Sequence, residues 1–91
     1  PMTEIKGMTI KRSMVGRKKE TELLAFFDVQ MTEVYLRGCA LVRYSNGNVT
    51  IWPPKLDHRQ EALRGVFFSD ETLKRRIADQ ALDAFRALGG E

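Results

Sequence analysis

The side chains that most often carry out catalysis are scarce in this chain. It contains one histidine, His58, and one cysteine, Cys39. Nucleophilic catalysis needs a nucleophile within reach of a base, and general acid–base catalysis needs titratable groups held in a pocket. His58 falls in a predicted loop and Cys39 in a predicted strand, and nothing in their spacing brings them together. We therefore expect a protein that is not an enzyme; a site assembled across a dimer is the catalytic alternative left open.

Metal and cofactor sites are not expected either. Metal centres use several His, Cys, Asp or Glu residues at defined spacing, and Asp57-His58 is too small a group. Gly89-Gly90 follows a predicted helix instead of opening one, and Gly16 stands alone, so the chain has no glycine-rich phosphate loop. The sequence predicts no metal, no cofactor and no small-molecule chemistry.

The remaining chemistry is positive charge. Fifteen Lys and Arg residues stand against 12 Asp and Glu, a formal net charge of +3. Within residues 1–19, Glu4 is the one acidic residue. Unpaired cations bind phosphates without reading bases. The candidates for such contacts with nucleic acid are Lys11, Arg12, Arg17, Lys18, Lys19, Lys55, Arg59, Arg64 and Lys74. For Arg17, Lys18 and Lys19, the competing interpretation is an ordinary solvated turn.

The elements that must position these cations are an antiparallel meander and a helix. Glu22 to Trp52 predicts three strands with tight turns at Thr32-Glu33 and Asn46-Gly47. Thr9 to Met14 predicts an earlier strand, joined to the meander by the basic loop Val15 to Thr21. Val66 to Phe68 predicts a short further strand or a buried extended piece.

We therefore expect one α+β domain over residues 1–91. Residues 1–7 are predicted to form a flexible N-terminal arm and residues 8–68 an antiparallel sheet of four to five strands. Residues 69–88 are predicted to form a C-terminal helix packed on that sheet. Ser69 or Asp70 is its expected N-cap, and Gly89-Gly90 is expected to close it.

The predicted register gives the sheet two apolar faces. It places Asp28 opposite Arg37 and Glu22 opposite Arg43 as ion pairs. The face expected under the helix consists of Ala25, Phe27, Val29, Leu36, Ala40, Val42 and Ile51. One helix covers one face, and a contiguous exposed apolar patch indicates an interface. We therefore predict a homodimer whose interface contains Leu24, Phe26, Leu41 and Trp52. Sequence alone also leaves open a helix lying at the sheet edge.

The stretch from Thr9 to Leu88 resembles the stage V sporulation protein G (SpoVG) family of small bacterial proteins. The resemblance covers the first strand and basic hairpin, the alternating strand Ala25-Phe26-Phe27-Asp28-Val29, and the turn and strand ending in Pro-Lys from Asn46 to Lys55. It continues through Val66-Phe67-Phe68 and the helix. The resemblance implies a dimeric, non-enzymatic DNA-binding regulator with a sheet extended across the dimer. It assigns no individual binding residue.

These observations predict a nucleic-acid-binding regulatory homodimer, with DNA favoured, driven by backbone charge and with limited base specificity. The alternative is a homodimeric protein-interaction or structural module, docking a partner around Trp52, with no nucleic-acid activity. A third possibility is single-strand binding in which Tyr35 and Trp52 stack on bases. No apolar run approaches the roughly 20 residues of a membrane span. Without a secretory segment or a cysteine pair, a cytoplasmic address is expected.

Overall fold

The computed structural model describes residues 2–55 and 65–91. In chain order these residues form β1 (Thr3–Val15), β2 (Thr21–Met31), β3 (Tyr35–Arg43), β4 (Val49–Trp52) and α1 (Glu71–Ala87). The strands make one antiparallel sheet in the order β1-β2-β3-β4. Helix α1 contacts all four strands and packs on one face. The predicted α+β fold, a meander followed by a C-terminal helix on the sheet, is confirmed.

Two boundaries differ from the prediction. Thr3 and Ile5 pair with Met31 and Val29 of β2, so these residues belong to the sheet and the predicted flexible arm over 1–7 is wrong. The segment 65–70 is not a strand. In it Phe68 packs against the core, whereas Phe67 is 85% exposed. An apolar triplet without a pairing partner therefore yields a coil that anchors on one side chain.

Two compensating bulges interrupt the pairing of β2 with β3. Leu23 pairs with Val42 and Val29 with Leu36, as predicted, but between them Ala25 lies opposite Leu41. The pairing therefore shifts by one residue at Leu24 of β2, and a second irregularity opposite Asp28 shifts it back. Gly38 lies at that second position with φ of +87°, a conformation that favours glycine. One extra residue in each strand leaves the ends of the ladder in the predicted register.

The β3–β4 turn also differs by one residue from the predicted two-residue hairpin. Tyr44 N–H donates to the Asn48 carbonyl at 2.8 Å, and Gly47 N–H donates to the Tyr44 carbonyl at 2.9 Å. The loop is therefore the three residues 45–47, with Gly47 at φ +90°. A three-residue loop with a left-handed last residue is the next most common hairpin connection. It places Trp52 opposite Ala40, where the two-residue turn had placed it opposite Leu41.

These one-residue shifts decide which side chains form the core. Leu24 and Leu41 are fully buried in the cluster beneath α1, together with Ile51, Ile77 and Phe85. Both leucines were expected on the opposite face as dimer contacts, and that placement is wrong. Conversely, Ala40 and Val42 were expected under the helix but belong to a separate cluster with Leu23. Because a bulge turns two successive residues toward one side, Leu24 and Ala25 both join the core under the helix.

Helix α1 begins and ends where its sequence signals predict. The Asp70 carboxylate accepts hydrogen bonds from the backbone N–H groups of Thr72 and Leu73 at 2.9 and 3.2 Å. At the other end, Gly90 N–H donates to the Phe85 carbonyl and Gly89 N–H to the Arg86 carbonyl. That pair of bonds, with Gly89 at φ +85°, is a Schellman motif. The buried stripe of α1 consists of Ile77, Ala78, Ala81 and Phe85.

Candidate nucleic-acid interface

The face of the sheet opposite α1, called here the second face, includes two cross-strand rows. Strand pairing aligns residues on all four strands in each row. Between them lies the row of Ile10, Ala25, Leu41 and Ile51, of which the last three are buried in the core. Since neighbouring residues of a strand point to opposite sides, both rows point away from α1. They are Ser13, Leu23, Val42 and Thr50 in one, and Thr9, Phe26, Ala40 and Trp52 in the other.

A small apolar cluster supports the second face. Leu23, Ala40 and Val42 are buried, and Val15 and Trp52 pack against them. The indole N–H of Trp52 donates to the hydroxyl oxygen of Tyr44 at 3.1 Å, which fixes the ring orientation. Trp52 thus lies across its smaller neighbours with its polar edge satisfied.

Phe26 is the least covered apolar side chain of the two rows. It lies on the interior strand β2, directly opposite Ala40, and 40% of its surface is exposed. Tyr44 has a similar exposure of 38%. The second face therefore presents three aromatic residues, Phe26, Tyr44 and Trp52, around a buried aliphatic centre. The sequence placed Phe26 and Trp52 on this side correctly, although it grouped them with Leu24 and Leu41.

The basic loop leaves the sheet at one end of this face. Val15, packed on the aliphatic cluster, is followed at once by Gly16 at φ +93° and then by Arg17, Lys18 and Lys19. Lys19 N–H donates to the Gly16 carbonyl at 3.1 Å, and Lys19 itself has a φ of +50°. All three cations are exposed, and across residues 2–55 and 65–91 none of them forms an ion pair.

The other predicted cations are dispersed. Lys11 is exposed on the edge strand β1, and Lys55 is exposed three residues after Trp52, at the opposite edge. Lys74, on α1, is half-buried and lines a cleft of about 290 Å³ together with Tyr44 and Thr50. Arg59 and Arg64 lie outside the described residues.

Arg12 is engaged, contrary to the sequence interpretation that left it without a partner. Its guanidinium contacts the Glu22 carboxylate at 2.6 Å and donates to the Gly90 carbonyl at 3.1 Å. Glu22 also pairs with Arg43 at 3.5 Å, as predicted. Arg43 in turn contacts the Glu91 carboxylate at 2.6 Å. This chain of charges ties the end of α1 to β1, β2 and β3, so Arg12 serves the fold.

The predicted ion pair between Asp28 and Arg37 does not form. The Asp28 carboxylate accepts hydrogen bonds from Gly38 N–H at 3.0 Å and from the Tyr35 hydroxyl at 2.8 Å. The hydrogen bond to Asp28 raises the pKa of Tyr35, and burial adds to the shift. The Tyr35 hydroxyl is therefore tied to the residues at the bulge, while 44% of the residue remains exposed. In the described part of the chain Arg37 forms no ion pair.

The cysteine and the acidic residues that the structure describes form neither an activated thiol nor a cluster of metal ligands. Cys39 is buried in the core, and burial raises the pKa of its thiol to about 11, with the negative charge of Asp28 adding to the effect. A thiol of that pKa stays protonated at neutral pH. His58 lies outside the described residues. Among residues 2–55 and 65–91, no group of three or more His, Cys, Asp or Glu could hold a metal ion.

The fold and the site together define a small α+β protein with an aromatic sheet face beside a cationic loop. Comparison with protein-family models, curated proteins and solved structures yields no match. In the part of the chain that the structure describes, no helix is both long and apolar enough to cross a membrane.

Proposed function

We propose that this protein binds nucleic acid, with DNA as the favoured target, mainly through contacts to phosphates. The observation that carries the proposal is the exposed, unpaired triplet Arg17, Lys18 and Lys19 in the β1–β2 loop, where the second face ends. Adjacent cations that pair with no acid among the described residues favour sequence-independent contacts to phosphates. Homodimerisation, a regulatory role, kinship with the SpoVG family and a cytoplasmic location all stay predictions.

Several cations elsewhere on the described surface are already paired with carboxylates, unlike the three cations of this loop. Lys6 pairs with Glu4 at 2.8 Å, and that hydrogen bond raises the pKa of Lys6. Arg86 pairs with Glu91 at 3.3 Å. A phosphate that approaches those side chains must compete with a carboxylate already in place. At the loop it meets three cations that pair with no acid among the described residues, beside the single carboxylate of Glu20, so binding there releases counterions without breaking a described ion pair.

Fluorescence polarisation with a labelled 20-nucleotide DNA at several salt concentrations tests the proposal. We compare the wild type with Arg17→Gln/Lys18→Gln/Lys19→Gln. Each phosphate neutralised contributes about −0.7 to −0.9 to the slope of log K against log salt. If all three cations contact phosphates, the slope of the variant should therefore be shallower by roughly 2 to 3.

The matched control removes the same three charges elsewhere, with Lys6, Arg75 and Arg86 changed to Gln. It should keep most of the wild-type slope, because Lys6 and Arg86 are already paired with acids. Equal loss in both triple variants would mean that net charge alone drives association. A wild type whose affinity does not depend on salt would sink the proposal outright.

A second candidate function, a protein-interaction or structural module, is favoured by the exposure of Phe26 on the second face. An uncovered aromatic residue on an interior strand is typical of an interface. Light scattering at several concentrations, repeated with Phe26→Ser, distinguishes the two. A dimer that the substitution converts to a monomer would assign this face to a second copy of the chain.

A further inference from the structure

We infer that the second face binds single-stranded DNA, with Phe26 and Trp52 stacking on unpaired bases while the loop cations hold the phosphates. The inference rests on the proposed function and adds the form of the ligand and the side chains that contact its bases. It draws on a different observation, the arrangement of aromatic rings on the sheet.

The first step is the spacing of the two rings. Phe26 and Trp52 flank Ala40 in one row across three neighbouring strands. Two strand spacings separate them, about 10 Å. Ala40 is only 7% exposed although it has the smallest side chain of the row. The larger neighbours therefore cover it, and Trp52, which packs on the same cluster, is half-buried.

The second step is that the Trp52 ring and the backbone of Phe26 are held in place before a ligand arrives. Trp52 cannot turn freely, because its ring nitrogen donates to Tyr44 and its body packs on Leu23, Ala40 and Val42. Phe26 lies on an interior strand with paired neighbours on both sides. Fixed aromatic platforms lose little conformational entropy when a base stacks on them. Stacking on exposed aromatic side chains also shows little preference for base sequence, because every base has a π-face.

The third step is the position of the charges along the path of a strand. Arg17, Lys18 and Lys19 precede Thr21 of β2, and Lys55 follows Trp52 of β4. From the Thr21 level of β2 to Trp52, two strand spacings and four residues along the sheet amount to about 17 Å. The loop cations therefore lie at one end of the face, and the row that holds Phe26 and Trp52 lies about four residues farther along the sheet, within reach of a short single strand.

Duplex DNA fits this face poorly. Its bases are stacked on one another, and they expose edges only inside the grooves. A flat sheet face could touch the duplex backbone but could not place Phe26 or Trp52 against a base. Stacking and phosphate contacts also need no 2′-hydroxyl, so a DNA strand supplies every group that the face can use.

The test uses Trp52, the only tryptophan in the chain, as the reporter. A dT12 oligonucleotide is titrated into the full chain at low salt, and Trp52 fluorescence is followed. We expect quenching that saturates. Phe26→Ala should weaken dT12 binding about 5- to 150-fold, the loss typical of one stacked base. Phe26→Tyr, which keeps a ring, should bind within a few-fold of the wild type.

Two matched controls isolate stacking from charge and from folding. Phe67→Ala removes an even more exposed phenylalanine that lies outside the sheet, and it should leave binding unchanged. An abasic 12-mer keeps the phosphates of dT12 without its bases, so its affinity for the wild type should fall to that of Phe26→Ala or below. The urea midpoint of Phe26→Ala shows that the variant is folded at the titration conditions.

Three results would overturn the inference. Equal affinity for dT12 and the abasic strand would mean that bases are not contacted. In that case a loop variant that still weakens binding leaves the phosphate site standing, so the two proposals fail separately. A 12-base-pair duplex bound more tightly than dT12, or an oligo-U strand bound more than tenfold more tightly, would reassign the ligand. A dimer that buries Phe26 would reassign the face.

Discussion

Replacing Gly38 by alanine tests the backbone feature that restores the pairing register between β2 and β3. Gly38 has φ of +87°, and a Cβ added there meets no heavy atom within 4 Å. The cost therefore comes from backbone conformation alone, about 1–2 kcal/mol for an L-residue in the left-handed region. For a domain of this length each kcal/mol lowers the melting temperature by about 4–8 °C. We expect Gly38→Ala to melt about 4–16 °C below the wild type.

Gly7 provides the matched control. It lies at the bulge on the other side of Asp28, in β1, and an added Cβ there also meets no heavy atom within 4 Å. Its φ is not in the left-handed region. Gly7→Ala should therefore be neutral or stabilising by about 0.4–1 kcal/mol, because alanine reduces the entropy of the unfolded chain.

Urea unfolding followed by Trp52 fluorescence measures both variants, with thermal melts by circular dichroism as a second probe. Gly38→Asn should recover part of the loss, since asparagine visits the left-handed conformation more readily than alanine does. If Gly38→Ala and Gly7→Ala were equally stable, the positive φ would not be required, and the account of the bulge given above would be wrong.

Two further predictions concern the core and the charges at the end of α1. In urea titrations, Leu24→Ala should lower the free energy of unfolding by about 2–5 kcal/mol, because Leu24 is fully buried. Leu88, which is 59% exposed, is the control, and Leu88→Ala should change that free energy by no more than about 0.5 kcal/mol. A loss as small as that for Leu24→Ala would contradict the burial of Leu24. The hydrogen bond from Arg43, with a second from Arg86, lowers the pKa of Glu91 below its ordinary value of 4.5. A depressed carboxylate pKa stabilises the fold above the unfolded-state pKa, and that stabilisation is lost as pH falls through the folded-state pKa. The melting temperatures of wild type and Glu91→Gln should therefore differ at pH 7 and converge well below pH 4.5, and an equal difference at pH 7 and pH 3 would contradict the pairing.

Local sequence signals predicted the elements well where the physics is local. Asp70 caps α1 through its own carboxylate, and Gly89 and Gly90 end it through backbone bonds within five residues. The strand order follows from short turns, because each turn joins strands that then pair with each other. The N-terminal residues were missed, since Thr3 to Met8 alternates weakly and its pairing partners lie about 20 to 30 residues away.

The candidate site was predicted in part. The cationic loop is continuous in sequence, so it was found directly. Tyr44 was missed as a member of the aromatic face, and Arg12 was taken as unpaired, because Trp52 and Glu22 reach them through contacts that no short-range pattern encodes. The alternation that placed Phe26 and Trp52 correctly also misplaced Leu24 and Leu41.

The sequence by itself determined the meander, the helix and the uneven distribution of charge, because turns, caps and charge are set by neighbouring residues. Only the tertiary structure decided which apolar side chains lie beneath α1. A strand has a period of two, so one extra residue at Leu24, at Gly38 or in the 45–47 loop turns the following side chains to the other side. The position of such an insertion depends on two free energies: the stabilisation from packing Leu24 and Leu41 under the helix, and the cost of interrupting the strand pairing. The first of these arises only when the helix packs on the sheet, so the local sequence does not encode it.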